Sequence, residues 1–369
     1  MAPAPSKPLY RHVRDYVHDR IANGDYAADR RLPTDGQLMR RFSTTRATVA
    51  KAMQELERMG LIQRRPGAGS FVRPAAFAKG AFVATVVAGR GDDEFFAPIC
   101  AQIAQACQAS NLALLWGAAS PATSADAGTS AERLCSQLLR QQVRGVFLVP
   151  DELPDDAAED RNATLVRTLT AAGIVVVLLD RDIAPFPEDG PHDLVGIDNM
   201  NAGYQQTRHL LACGCRRIVY ATRPGRLWTK AARIAGYRLA LQQAGLPFQP
   251  EHVCAGRTTD SGFADMILDL KPDGIVCFHD PIAAHLSRRL EELHLPVPDA
   301  IRIVGLDDVR SAHAPSVPLT TLQQPCRSIA AQAADLMARR LNRDPSPPRR
   351  VLFGTQLIIR ASSRPALSL

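Results

Sequence analysis

The sequence predicts two modules of different class, a small winged helix-turn-helix at the N-terminus and a larger doubly wound α/β body in two lobes. Three observations predict it. The basic excess of the chain sits entirely in its first fifth, where residues 1–74 carry 14 Lys and Arg against 7 acids, while the other 295 residues carry 30 of each sign. That first fifth shows helical periodicity and closes in a Gly- and Pro-rich hairpin. From residue 81 the pattern changes to apolar strand-like runs alternating with stretches long enough for crossover helices.

The elements of the first module follow in order. Leu9, Val13, Val17 and Ile21 recur every four residues between charged positions, an amphipathic helix stopped by Asn23-Gly24. In Leu32-Pro33-Thr34-Asp35, Thr34 can cap a short helix carrying Leu38, Met39 and Phe42. Ser43-Thr44-Thr45 opens a third helix through Val49, Met53 and Leu56 to Gly60, whose leading face offers Thr44, Thr45, Arg46, Thr48 and Lys51. Two strand-like runs, 61–65 and 70–73, flank the turn Pro66-Gly67-Ala68-Gly69. Three helices and a basic hairpin of this kind suit phosphate neutralisation on duplex nucleic acid.

Residues 75–80 lack both periods and read as a linker. Strands are expected at 82–88, 112–116, 145–149, 174–179, 194–197, 217–221, 274–278 and 301–305. Their Val- and Ile-rich runs with little alternation indicate sheets buried on both faces, in a length that suits two lobes. The domain expectation is therefore 1–74, a linker at 75–80 and a ligand-binding body at 81–369, with the chain crossing between lobes near 197, 324 and 353.

Several function classes lose support at this stage. No window holds the roughly 18 uninterrupted apolar residues of a membrane span, and residues 1–8 are polar and proline-punctuated, so a cytoplasmic chain that is neither membrane-inserted nor secreted is expected. The 8 Cys are scattered and read as reduced thiols. Gly89-Arg90-Gly91 follows the first strand, but a dinucleotide fingerprint would need a third Gly where Glu94 stands. There is no phosphate loop, nucleophile elbow or metal-binding helix motif, so no cofactor, metal or catalytic group is expected.

Polar residues fall instead where such sheets place ligand groups, just beyond the carboxyl ends of strands. Asp93 to Phe96, Asp180-Arg181, Trp228 with Arg233, His279-Asp280, Asp307-Asp308 and Gln324 occupy these positions. Rings, carboxylates, a guanidinium and an amide are what a polyhydroxylated ligand needs. Each also has a packing explanation. Phe95 and Phe96 can cap the core, Asp180 can pair with Arg181, Trp228 can pack a loop, His279 can be a satisfied core residue, Asp308 can cap a helix, and Arg64 and Arg65 can be a solvated hairpin edge.

Two resemblances attach to these residues. Residues 9–73 resemble the DNA-binding domain of GntR-type bacterial regulators through Leu32-Pro33-Thr34-Asp35, Thr45-Arg46-Ala47-Thr48-Val49 and Gly60-Leu61-Ile62-Gln63-Arg64-Arg65-Pro66-Gly67-Ala68-Gly69-Ser70-Phe71-Val72. The resemblance implies DNA approach at Arg46, Thr48 and Gly69. Thr34, Arg40, Arg41, Thr45, Lys51, Arg64, Arg65 and Gly67 complete the candidate face. Gly36, Ala50 and Ala68 stand where the family often has Arg, Arg and Lys, so the operator sequence does not carry over.

Residues 81–361 resemble the effector domain of LacI-type repressors and the ribose-type periplasmic-binding proteins. The runs are Asp93-Glu94-Phe95-Phe96, Leu179-Asp180-Arg181, Gly196-Ile197-Asp198-Asn199, Arg233-Ile234-Ala235-Gly236-Tyr237, Val304-Gly305-Leu306-Asp307-Asp308 and Leu319-Thr320-Thr321-Leu322-Gln323-Gln324. This implies a two-lobed periplasmic-binding-protein-like fold and ligand contacts at Asp93, Phe95, Phe96, Asp180, Arg181, Arg233, His279, Asp307 and Gln324. Asp93 and His279 stand where sugar binders usually have Asn. The expected function is a homodimeric, ligand-responsive transcription regulator, a repressor released from double-stranded operator DNA by a sugar. A regulator sensing a non-sugar such as a purine or an inositol, and an enzyme acting on a phosphorylated metabolite, are the alternatives.

Overall fold

The computed structural model describes residues 9–22, 26, 31–58, 62–65, 69–72, 82–87, 93–110, 112–116, 127–151, 157–225, 228–260, 262–313 and 315–364. The turn at Asn23-Gly24, the hairpin tip with Gly67 and the linker at 75–80 lie outside them.

The first module is α1 (Leu9–Ala22), α2 (Asp35–Phe42), α3 (Arg46–Arg58) and an antiparallel hairpin of β1 (Ile62–Arg65) and β2 (Gly69–Val72). Val13 and Val17 of α1, Leu38 of α2 and Val49, Met53 and Leu56 of α3 form its core, closed beneath by Ile62 and Val72. Thr34 caps α2 in a capping box with Gln37, each side chain taking up the other's backbone N–H. The hairpin is tied back to the helices by Leu32, whose N–H donates to the Ser70 carbonyl at 2.9 Å.

The larger body opens with β3 (Phe82–Val87), α4 (Asp93–Ala109), β4 (Ala113–Trp116), α5 (Ala127–Arg140), β5 (Val143–Val149), α6 (Ala157–Ala171), β6 (Val175–Leu179) and β7 (Asp193–Ile197). It continues through α7 (Asn199–Ala212), β8 (Ile218–Thr222), α8 (Trp228–Gln243), β9 (Val253–Ala255), α9 (Phe263–Asp269), β10 (Gly274–Cys277), α10 (Asp280–Glu292), β11 (Arg302–Asp307) and β12 (Thr320–Gln323). The last elements are α11 (Cys326–Leu341), β13 (Arg350–Phe353) and β14 (Gln356–Ile358).

Two six-stranded sheets result, ordered β13-β7-β6-β5-β3-β4 and β14-β12-β11-β10-β8-β9. The two orders follow the same pattern, so each lobe is wound the same way about its own first strand. All pairings are parallel except β12 with β14, which is antiparallel. The chain passes between sheets three times, after β7, after β12 and between β13 and β14, and all three passages lie at the same edge of each sheet.

The eight expected strands all form, with ends shifted by one or two residues. The strands β9, β13 and β14 carry no sequence signal of their own. They are three or four residues long, and their pairing partners create them.

One contact sets the geometry of the second lobe. Helices α7 and α8 pack backbone to backbone through Gly203 and Gly236, and a Cβ at Gly236 would lie 1.9 Å from the Met200 carbonyl oxygen. Only a residue without Cβ permits this approach. Gly236→Ala should therefore lower the melting temperature by roughly 3 to 10 °C, the effect of about 1–3 kcal/mol of overpacking in a chain of this size. Gly354→Ala, which meets nothing within 4 Å, is the control that should melt as the wild type does in calorimetry.

Candidate functional site

On the first module, Arg46 and Thr45 are exposed at the start of α3 and Thr48 is half-buried beside them. The Thr45 and Thr48 hydroxyls share a 3.0 Å hydrogen bond, and the Thr45 oxygen accepts from the Thr48 N–H, so these threonines cap the helix and leave Arg46 leading. Arg41 and Lys51 are exposed but lie over tyrosine rings of α1, Arg41 on Tyr16 at 4.5 Å and Lys51 on Tyr10 at 4.3 Å. They fasten α2 and α3 to α1 as well as offering charge. Arg40 is exposed on α2.

The wing is joined to the helices by Arg64. Its guanidinium donates to Asp35 at 2.9 Å, and its backbone N–H donates to Glu57 at 3.1 Å. Gly69 sits at φ +113°, a conformation that favours glycine, and the Arg31 guanidinium lies in ordinary contact with the place a Cβ would take, at 3.7 Å. A hollow between wing and helices is lined by Arg31, Arg46 and Arg64 together with Thr34, Asp35 and Gly69. Arg31 escaped the sequence reading. It precedes the Leu32-Pro33-Thr34 run and is joined to the wing by its bridge to Phe71. Arg65 lies in β1 with its side chain outside the described residues, and Gly67 is likewise outside them.

The second site lies where the carboxyl ends of both sheets meet. Asp180 follows β6 and Asp307 ends β11, and Asp180, Arg233 and Asp280 are all close enough to act on the charge of Asp307. Asp180, Asp307 and Asp308 hold positive φ values of 69°, 113° and 54°, backbone strain concentrated at the strand ends. Asp180 is 4 % exposed, accepts from Arg181 Nε and Nη2 at 2.9 and 2.6 Å through Oδ2, and leaves Oδ1 buried without a hydrogen-bond partner.

Arg233 is 4 % exposed on α8. Its Nε donates to Asn199 Oδ1 at 2.7 Å, its Nη1 donates to the Phe278 carbonyl at 2.6 Å, and its plane lies over the Phe278 ring at 4.5 Å. The Asn199 amide is oriented in turn by donating to the Ile197 carbonyl at 3.3 Å. Gln324, at the second crossing, donates to Asp307 Oδ1 at 2.7 Å. Burial pushes Asp307 well above the usual carboxylate range, Asp280 and Asp180 add to the effect, and Arg233 and Gln324 oppose it.

The remaining expected residues divide. His279 is buried and its Nδ1 accepts from the Ile282 N–H at 3.3 Å, so it caps α10. Trp228 is half-buried at the start of α8, edge-on to Phe186 of the other lobe at 5.8 Å, with Arg350 over its ring at 5.4 Å. Asp308 is held by Arg360 at 2.7 Å and Gln323 at 2.8 Å. Asp93, Phe95 and Phe96 open α4, and their side chains lie outside the described residues. Among the described residues, no group of three or more His, Cys, Asp or Glu could hold a metal, and no helix is long and apolar enough to cross a membrane.

Residues 9–72 match the bacterial regulatory proteins of the gntR family, and residues 207–363 match the periplasmic binding protein-like domain. The HTH-type transcriptional regulator CelR of Thermobifida fusca is 31% identical over 240 residues, covering 64% of this chain and 68% of that protein. The chain is a GntR-type transcription regulator with a periplasmic-binding-protein-like, LacI-type effector domain. The regulator is also 26% identical over 383 residues to the arabinose metabolism transcriptional repressor of Halalkalibacterium halodurans, at 97% of both chains. A solved transcriptional regulator CelR-cellobiose complex shares its fold at a TM-score of 0.66, with 24% identity, over 97% of this chain and all of that one.

Sequence reasoning about this regulator singled out Asp180, Arg233 and Asp307 but missed the partners that seat them, Asn199 and the Phe278 carbonyl. Asn199 stood within a quoted run, and its proximity to Arg233 is purely tertiary. Asp280 was noted only as a neighbour of His279. It is fully buried, with Oδ1 accepting from the Thr321 hydroxyl at 2.6 Å and Oδ2 from the Val309 N–H at 3.1 Å.

Burial pushes Asp280 up to about 7 despite those donors. A carboxyl group raised in the fold favours the protonated state, so its burden on stability is absent below its unfolded value and grows as pH rises toward about 7. Asp280→Asn, which can donate to Thr321 and accept from Val309, should gain on the wild type progressively in thermal melts as pH rises from about 4 to about 7 and hold that gain at pH 8. A difference that stays constant over that range would show that Asp280 remains charged throughout.

Proposed function

We propose that this regulator is a homodimeric repressor released from a palindromic operator when a sugar closes its two-lobed domain. The observation that carries the reading is the joining, in one chain, of an arginine-lined face beside a recognition helix to a cleft of Asp180, Arg233, Asp307 and Gln324. The relatives support it, being repressors of arabinose metabolism and a regulator solved with cellobiose. The reading places residues 1–74 on DNA, 75–80 as the tether and 81–369 as the sensor, working in the cytoplasm. It asks for binding only and for no catalytic step.

In the DNA half, Arg46 leads into the major groove, while Thr45, Thr48 and the wing residues Arg64, Arg65, Gly67 and Gly69 fix register. Thr34, Arg40, Arg41 and Lys51 complete the phosphate-facing rim. One helix and one wing cover half a site, so two copies are needed to read a palindrome. In the sensor half, Asp93, Phe95, Phe96, Asp180, Arg181, Trp228, Arg233, His279, Asp307 and Gln324 surround the sugar. Closure turns about the three crossings, and because it changes the spacing of the DNA modules, a ligand that prefers the closed state lowers operator affinity.

Selection from random duplex DNA with the full chain is the direct test of the DNA half. An inverted repeat should be enriched, bound with strongly salt-dependent affinity. Arg46→Ala should weaken that binding by about 1–3 kcal/mol in gel-shift titrations at fixed salt. Failure to enrich any sequence would overturn the reading, and wild-type affinity for Arg46→Ala would remove Arg46 from the reading face.

A further inference from the structure

We propose that the first lobe of the sensor carries a second DNA-contacting surface, an arginine face at the amino ends of its strands that grips backbone phosphates beside the half-site held by the winged helix. The inference goes beyond the proposed function, which assigns DNA contact to residues 1–74 alone. It rests on that function only for the presence of DNA.

Topology builds the face. In a parallel lobe each crossover helix ends at the edge where the next strand begins. The carboxyl ends of α5, α6 and α11 therefore share one edge with the first residues of β3, β5, β6, β7 and β13. Arg140 closes α5 and is exposed. Arg144 is half-buried at an irregularity in β5, where Val143 pairs with Phe82 and Gly145 with Val83, so that Arg144 is the extra residue. Arg343 is exposed just past α11 at φ +59°, near enough to Arg144 for the two charges to oppose each other.

Two acids share this edge, and both are engaged. Asp193 accepts from Arg340 Nε and Nη2 at 2.6 and 2.9 Å, and Asp344 accepts from the Ser346 N–H at 3.0 Å and lies 3.9 Å from Arg349. Arg339 is paired with Asp335, and Arg350 with Asp182 and Asp189. Among the described residues, Arg140, Arg144, Arg340, Arg343 and Arg349 thus face Asp193 and Asp344, a net positive edge. The sensor as a whole is neutral, with 30 charges of each sign, so the edge is a local concentration.

The chain holds this edge beside DNA. Val72 ends the wing and Phe82 begins β3, so ten Cα steps separate them, a reach of at most about 35 Å. One turn of duplex is about 34 Å. Residues 73–81 carry Arg73 and Lys79 and no acid, so positive charge runs on from the wing to the lobe. Guanidinium groups present two-point edges to phosphate, and an anion at Arg144 and Arg343 relieves their mutual repulsion.

Arginine at a helix carboxyl end has a packing role as well, since it answers the helix dipole. Such a role shows in folding and not in the salt dependence of DNA binding. The test therefore titrates the full chain against the selected operator and against a random duplex of equal length, from about 0.05 to 0.2 M salt. Arg140→Gln with Arg343→Gln should flatten the slope of log Kd against log salt by about two to four for a dimer. It should weaken binding to both duplexes by the same factor, about tenfold at mid-range salt, and melt as the wild type does. Arg288→Gln, exposed on α10 of the second lobe, is the control and should leave the slope unchanged.

A wild-type slope in the double variant overturns the proposal. With a normal melt it gives the edge to a partner other than DNA, and with a lowered melt it gives the arginines to the helix dipoles. Arg140→Gln alone, at an exposed helix end, decides the matter if the double variant does not fold: its slope should flatten by about one to two, and an unchanged slope overturns the proposal. If no operator is enriched, the operator reading fails, while the slopes on random duplex still judge the second surface.

Discussion

The sensor depends on one buried cation. Arg233 is almost fully removed from water, and a guanidinium in that position is tolerable only if its donors are met and its charge is answered. Asn199 and the Phe278 carbonyl meet two of the donors, and the Phe278 ring supports the plane. These partners come from the start of α7 and the end of β10, so the guanidinium fixes α8 against both. The arrangement exists only because α7 and α8 approach to backbone contact at Gly203 and Gly236. The charge of Arg233 also acts on Asp307, whose carboxyl group burial pushes up. Helix packing, cleft shape and cleft electrostatics are thus one problem with a shared solution.

The same economy governs the passages between lobes. Three strands of chain cross at one edge, and two of them are coupled where the Asp198 N–H donates to the Phe353 carbonyl at 2.9 Å. Leu306, Val309 and Leu322, at the carboxyl ends of second-lobe strands, pack into the core cluster of the first lobe. The proposed closure pivots near this apolar seam, while Trp228 meets Phe186 and Arg350 across the lobes. In the proposed function, a ligand bridges Asp180 on one side and Asp307 on the other, and its preference for the closed arrangement supplies the free energy that moves the DNA modules.

Much of this was legible in the sequence, for physical reasons that differ by region. Val- and Ile-rich runs such as 174–179 announce buried parallel strands because both faces must be apolar. Thr34 and Gln37 announce a helix start because the capping box is local. The ordering of Asp180, Arg233 and Asp307 at strand ends followed from topology alone.

What the sequence withheld is what depends on partners far along the chain. Strands β13 and β14 owe their existence to their neighbours β7 and β12. Arg31 reaches the wing through a bridge to Phe71, 40 positions away. Whether His279 and Trp228 contact ligand or neighbours could not be read from residue type, since a capping imidazole and a packed indole leave the same trace in a sequence as a binding one. Asp280 was noted only beside His279 because nothing local distinguishes a helix-opening acid from one buried behind a strand whose Gly305 leaves no room for a Cβ.

The central claim is that occupancy of the cleft and occupancy of DNA are coupled. It is tested most directly by titrating the full chain against its selected operator at fixed salt, with and without a saturating neutral sugar that calorimetry has shown to bind. The account predicts that the sugar weakens operator binding by about tenfold or more, a coupling of at least roughly 1.4 kcal/mol. An operator affinity that stays the same while the cleft is full would contradict it.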